Sequence, residues 1–331
     1  MPGMGAPAAV GGNRPAWRDL PAHLRDAVEA AAGSPVRAAS SRPGGFSPGL
    51  ASVLHLADGR SVFVKAVSDE QNPHSPQMHR TEAEVLARLP ERVPAPRLLW
   101  SYDDGQWVAL MTEAVDGVTP RQPWQRSQLD RFLRVAAQLV EILTPAPFPT
   151  AGIAERLGTS LVGWRRMAAH PGTVDLVGAR VGAAFRADVE WARARLDRLA
   201  AIEGTWEAAA AGDTLLHADL RADNVLLTAD GAVVVDWPHA CLGAGWVDLL
   251  VAVPSIAMHG GGDPQELWER YPPGRAADPD AVTAVIAAVA GFFLRQGVQP
   301  SPPGLPRLRA FQIAQGEVAL RWLRQRLGGP S

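Results

Sequence analysis

The chain has 331 residues with 32 Lys+Arg and 34 Asp+Glu, a formal net charge of −2 at pH 7, and 47% hydrophobic content. These values exclude a disordered chain, and with no basic run they exclude nucleic acid or an anionic membrane as the main partner. Of the cations, 31 are Arg and one is Lys, Lys65. A lone ammonium in an Arg-rich chain is a candidate for a task that a planar guanidinium cannot perform. Residues 1–15, rich in Gly, Ala and Pro, read as a disordered tail without a secretory pattern. Leu20, Leu24 and Val28 recur at helical spacing and predict a helix over 17–32, stopped by Gly33. Strands are expected over 52–56 and 61–67, joined as a hairpin by Asp58-Gly59, with Lys65 inside the second. A helix over 79–89 precedes the Pro94 and Pro96 segment, and strands over 97–102 and 107–114 flank Asp104-Gly105. Amphipathic helices follow over 127–143, 152–169 and 181–202. Two short strands, 225–228 and 232–235, surround Asp230-Gly231, and helical patterns return over 247–258, 279–296 and 305–327. The apolar run 281–294 is too short to span a bilayer and reads as a buried helix. The single cysteine, Cys241, fits a reducing compartment, so a cytoplasmic location is expected. The expected fold class is α+β in two lobes. Residues 16–116 form a small antiparallel β-sheet lobe with one internal helix, and residues 117–331 form a larger, mainly helical lobe.

Polar residues concentrate in an apolar setting over 215–227 and 233–250. Asp219, Asn224 and Asp236 stand out there. Asp236 ends a run of four apolar residues, where a carboxylate is costly without a cation or donors beside it. The hairpin between Asn224 and Asp236 turns both toward one point. An Asp and an Asn facing an open site supply the hard oxygen ligands by which Mg²⁺ is held. Asp219, five residues before Asn224, can hold a hydroxyl in line with that site.

The pattern His217-Ala-Asp219, four residues, then Asn224, followed by Asp236-Trp237, resembles the catalytic core of the protein-kinase-like fold. Within it, the form is similar to the aminoglycoside phosphotransferase and choline kinase-like family, whose loop runs His-Gly-Asp-x-x-x-x-Asn. The stretch Gly243-Ala-Gly-Trp-Val-Asp248 resembles a further family element, whose Asp braces the catalytic loop. The resemblance implies a Lys on the third strand binding the α- and β-phosphates of ATP, which is Lys65, with Glu82 as its partner on the next helix. It implies a flexible loop over the phosphates at Gly44–Gly49, containing Ser47, and a hinge at Met111–Val115, including Glu113 and Val115, that holds adenine. It implies Asn224 and Asp236 as Mg²⁺ ligands, Asp219 as catalytic base, and His217 as the residue that orients its loop. Arg221, where protein kinases carry Lys, would contact the γ-phosphate.

The expected activity is therefore transfer of the γ-phosphate of ATP, or of GTP, to a hydroxyl of a small molecule such as an antibiotic, sugar or amino alcohol. The alternative is a catalytically silent, nucleotide-binding regulator, which the intact Lys65, Asp219, Asn224 and Asp236 oppose. Asp223 departs from the family, which often has Gly there. Nothing after Pro238 resembles a protein-kinase activation segment, so no protein partner is expected. Residues 151–212 hold eight Arg against seven acidic residues and 300–331 hold five against one, while only 259–299 leans acidic, five against three. Such a balance disfavours a polycationic acceptor and favours a neutral, zwitterionic or anionic one.

Overall fold

The computed structural model describes residues 14–42, 49–302 and 305–328. Helix α1 (Ala22–Ala32) buries Leu24 and Val28, and Gly33 closes it in the left-handed conformation. Strands β1 (Val36–Ser41), β2 (Leu50–Leu56), β3 (Ser61–Ser68), β4 (Leu98–Asp103) and β5 (Trp107–Glu113) form one antiparallel sheet in the order β1-β2-β3-β5-β4. Helix α2 (Ser75–Leu86) lies between β3 and β4 in the chain and packs on β3 and β5. Alternation along β3 sorts its side chains. Val62, Val64 and Ala66 join α1 in a small core, whereas Phe63 and Lys65 face a cleft on the other side.

The second lobe is built on α3 (Arg126–Leu143), which buries Phe132, Val135, Ala136 and Leu139. Short helices α4 (Gly163–Ala169), α5 (Gly172–Arg180), α6 (Arg186–Arg193) and α7 (Leu196–Glu203) precede strand β6 (Thr214–Leu216). Strands β7 (Val225–Leu227) and β8 (Ala232–Val234) form a hairpin, and β9 (Cys241–Gly243) pairs with β6. Helices α8 (Val247–Met258), α9 (Pro279–Gly297) and α10 (Leu308–Arg326) complete the lobe. By length and composition alone α9 could cross a membrane, being longer than the apolar run expected, but it is mostly buried within the protein and packs along α10. The lobes meet where Val85, Leu86, Val93 and Leu110 enter the large core. A bridge between Val118 and Leu227 ties the segment after β5 to β7.

Several expected elements are corrected. Strand β1 went unassigned in the sequence because its run VRAASS is largely exposed and has no apolar alternation. The helix expected over 79–89 starts earlier, at Ser75, where the Asn72 side chain accepts from the Ser75 N–H and Pro76 fits the first turn. The helix expected over 152–169 breaks into Ile153–Leu157 and α4. The Glu203 carboxylate on α7 accepts the N–H groups of Trp164 (2.8 Å) and Arg165 (2.9 Å), which starts a new helix from outside. The same joint packs backbone on backbone, since a Cβ on Gly163 would lie 2.0 Å from the Gly291 carbonyl carbon. The helix expected over 181–202 is two, α6 and α7, and α5 was not foreseen. Arg14, expected within the tail, is half-buried and lines the cleft.

Candidate active site

Between the lobes lies a cleft of about 550 Å³. Its apolar walls include Val53, Phe63, Leu110 and Leu226, and its polar end carries Lys65, Glu82, Asn224 and Asp236. The volume and mixed lining suit a small organic ligand with a charged end.

Lys65, held on β3 between Ala51 and Leu110, places its Nζ 2.8 Å from both Glu82 oxygens and 2.7 Å from Asp236 Oδ1. Glu82 is buried on α2, while Glu84 points outward. Burial by itself would favour the neutral amine, but Asp236 and Glu82 together raise the Lys65 pKa above its ordinary value. Burial likewise works against the Asp236 carboxylate, yet Lys65 outweighs it and holds that carboxyl well below the usual range. Glu82 shifts upward because its burial outweighs its share of Lys65.

The loop after β6 brings His217, Asp219, Arg221 and Asn224 together. Asp248 at the start of α8 accepts the N–H groups of His217 (2.8 Å) and Ala218 (2.7 Å). The N–H of Asp219 reaches His217 Nδ1 at 3.2 Å, so Nδ1 is the acceptor and Nε2 donates to the Val235 carbonyl at 3.0 Å. Burial lowers the His217 pKa, which keeps the ring neutral in that tautomer. Asn224 Nδ2 donates to the Asp219 carbonyl (2.8 Å) and to Asp219 Oδ2 (3.1 Å). Its own side-chain oxygen is thereby turned away from Asp219. The Val235 N–H donates to the Asn224 carbonyl at 2.9 Å and fixes Asn224 beside Asp236. Asp219 is shifted upward by burial, with Arg221 opposing. The oxygens of Asn224 and Asp236 line one cleft and are hard donors of the type Mg²⁺ takes, so the residues present fit that ion.

Ala218 and Asp236 both have positive φ, 59° and 70°, in the left-handed region. Asp adopts this conformation more readily than Ala does. Ala218→Gly is expected to stabilise the protein by up to about 1 kcal/mol, raising Tm by about 1–2 °C after the entropy cost of Gly is offset. A lower Tm in a thermal melt would contradict this account of strain in the loop.

Glu113 and Val115, where the resemblance implies a hinge, line the cleft. The Glu113 side chain is turned to Arg97, whose Nε donates to it at 2.7 Å, and its N–H goes to the Arg97 carbonyl at 3.1 Å. Ser47 lies outside the described residues; of the Gly-rich loop only Gly49 is described, at φ +97°. A Cβ there would meet the Ala66 carbonyl oxygen at 2.5 Å, so this entry to β2 requires Gly.

The cleft also contains His79, which lies one helical turn before Glu82 and carries no local sequence signal of that place. Burial, aided by the Lys65 charge, pushes its pKa from 6.5 down to about 3, so it is neutral in the folded protein. The unfolded chain binds this proton first as pH falls below about 6.5, so stability decreases toward acid. At about pH 5 the loss from this residue is expected to be about 2 kcal/mol. Denaturant unfolding of wild type and His79→Gln at pH 7 and 5 checks it, and equal losses in both would refute it.

The family model described as phosphotransferase enzyme family matches residues 44–315. A search of curated proteins found no match. Among solved structures, an aminoglycoside-3'-phosphotransferase of type VIII is 24% identical, with 82% of this chain and 100% of that one covered and a TM-score of 0.52. A thermostable mutant of aminoglycoside phosphotransferase APH(4)-Ia, in a ternary complex with ADP and hygromycin B, is 14% identical, with coverage of 93% and 99% and a TM-score of 0.56. Choline kinase from Cryptosporidium parvum Iowa II is 11% identical, with coverage of 96% and 92% and a TM-score of 0.50. At these identities the likeness is one of fold.

Proposed function

The chain belongs to the phosphotransferase enzyme family, and from that premise we propose that it transfers the γ-phosphate of ATP to a hydroxyl of a small molecule. One observation carries the reading. The Lys65–Glu82 pair, Asn224 and Asp236 converge at one end of a cleft whose walls include Val53, Phe63, Leu110 and Leu226, next to Asp219. In this reading residues 16–116 carry the nucleotide, and 117–331 supply the catalytic and acceptor-binding groups. Adenine lies among Val53, Phe63, Leu110 and Leu226, against the backbone of Val115.

Phosphoryl transfer needs positioning and neutralisation of spreading charge more than covalent chemistry. Lys65, kept charged by its two carboxylates, binds the α- and β-phosphates. Asn224 and Asp236 would hold Mg²⁺, which when bound would neutralise charge on the phosphate oxygens. Asp219 accepts or aligns the acceptor's hydroxyl proton, and its upward shift makes it a better acceptor than a solvated Asp. His217 fixes the loop and Arg221 neutralises the reacting groups. The lack of a large acidic surplus in the segments outside this core supports a neutral, zwitterionic or anionic acceptor over a polycation.

The test is a phosphate-transfer screen with Mg·ATP over sugars, amino alcohols, nucleosides and antibiotics. Turnover with at least one acceptor is expected, falling about 10²–10⁴-fold in Asp219→Ala. Nucleotide binding without turnover across the panel would favour the silent regulator instead.

A further inference from the structure

Asp223 stands immediately before Asn224, where the family pattern often has Gly, and the mechanism above leaves it without a task. In the structure it takes the two-pronged face of the Arg221 guanidinium. Arg221 Nε donates to Asp223 Oδ1 at 3.0 Å and Nη2 donates to Oδ2 at 2.9 Å. The remaining nitrogen, Nη1, donates to Asp219 Oδ1 at 2.8 Å. All three side chains are sheltered, with 19% of Arg221, 19% of Asp223 and 26% of Asp219 exposed. The loop enforces the spacing. Residues Ala222–Asn224 make one 3-10 turn, closed by the Asn224 N–H on the Arg221 carbonyl at 3.0 Å, which puts positions 221 and 223 side by side.

A guanidinium next to a single carboxylate prefers to fork it, occupying both oxygens along parallel N–H bonds. If Arg221 forked Asp219, it would take a site on each oxygen and, with the Asn224 N–H, leave only one of about four for a hydroxyl proton. Asp223 diverts the fork. Asp219 then receives a single N–H from Arg221 on one oxygen and one from Asn224 on the other. Among the described residues these two bonds leave one of about two acceptor sites open on each oxygen. The fork also fixes the guanidinium plane in a side chain that is otherwise rich in rotamer freedom.

We propose that Asp223 is a positioning residue: it holds the bidentate face of Arg221 so that Arg221 neutralises Asp219 through one N–H and leaves it open to the acceptor hydroxyl. The inference rests on the phosphotransferase reading. Asp223 also lines the cleft, and its task in this inference is carried by its bonds to Arg221 alone.

The experiment compares wild type, Asp223→Asn, Asp223→Gly, Arg221→Lys and the double variant Asp223→Asn/Arg221→Lys as full chains. ADP release from Mg·ATP is measured with the acceptors of the panel and with water. Mg·AMP-PNP binding is measured by calorimetry, and folding by thermal melts. Both Asp223 variants are expected to lose about 10–100-fold in kcat, with KM for ATP and the AMP-PNP affinity within about threefold of wild type. Lysine cannot fork a carboxylate, so in the Arg221→Lys background Asp223→Asn should add less than about twofold. A wild-type kcat in Asp223→Asn overturns the inference. So does a loss carried by KM and AMP-PNP affinity, or one that persists in full in the Arg221→Lys background. A wild-type chain that releases no ADP with any acceptor overturns the phosphotransferase reading as well, whereas an active wild type with unaffected Asp223 variants overturns this inference alone.

Discussion

Lys65→Arg is expected to leave the protein folded and to lower kcat/KM for ATP by about a hundredfold or more, although the charge is unchanged. The ammonium sits within 2.8 Å of both Glu82 oxygens and 2.7 Å of Asp236 Oδ1, at the meeting point of a strand, a helix and the other lobe. Its side chain is only 15% exposed, so a larger planar group has no room to turn edge-on. A guanidinium would fork Glu82 or Asp236 and leave the other carboxylate without its partner, displacing a residue expected to hold the metal. Steady-state kinetics with varied ATP, alongside a thermal melt, give the answer, and wild-type kinetics would remove Lys65 from the phosphate site. The single Lys also allows a direct check. An amine-reactive ATP analogue has one side-chain amine to modify, and ATP should protect Lys65 from it.

Asp188→Ala is expected to cost about 3 kcal/mol of folding stability with little effect on nucleotide affinity. Asp188 on α6 is buried and accepts from two arginines of α10: Arg321 through Nε (3.0 Å) and Nη2 (2.8 Å), and Arg324 through Nη1 (2.8 Å). Removing the shared anion leaves two neighbouring cations to repel each other. Arg321, 41% exposed, can swing into water, but Arg324, 16% exposed, cannot, which sets the loss at the low end for a broken buried pair. Replacing the anion together with the buried cation, as Asp188→Leu/Arg324→Leu, should recover part of the stability. Urea unfolding measures both, and a loss below about 1 kcal/mol in Asp188→Ala would show that the network contributes little.

Much of the site was legible because its signals are short-range. Lys65 is recognisable by rarity and by its place in an apolar strand, and Glu82 by its position on the next helix. The spacing of His217, Asp219 and Asn224 is a property of one loop, and Asp236 ends the hairpin that follows. The resemblance implies Asp248 as a brace, and in the structure it accepts two loop N–H groups. His79 escaped notice because a histidine on an amphipathic helix has no local mark of what it faces. Arg14 has none either, because its place at the cleft near Asp236 joins residues far apart in the chain. Asp223 was visible as a departure, but its fork on Arg221 needed side-chain geometry.

The fold divides in the same way. The sequence alone determined the two lobes, the hairpins at Asp58-Gly59, Asp104-Gly105 and Asp230-Gly231, and the order of the residues that converge on the cleft. Turn chemistry and apolar periodicity act over a few residues, so they are written locally. Only the tertiary structure decided that β1 completes the five-stranded sheet, that Glu203 breaks one helix by capping another, that Gly163 meets Gly291, and that Asp188 anchors α10. Each of these joins groups far apart in the chain. Their energies come from burial and from desolvated charge, which exist only once the lobes have packed.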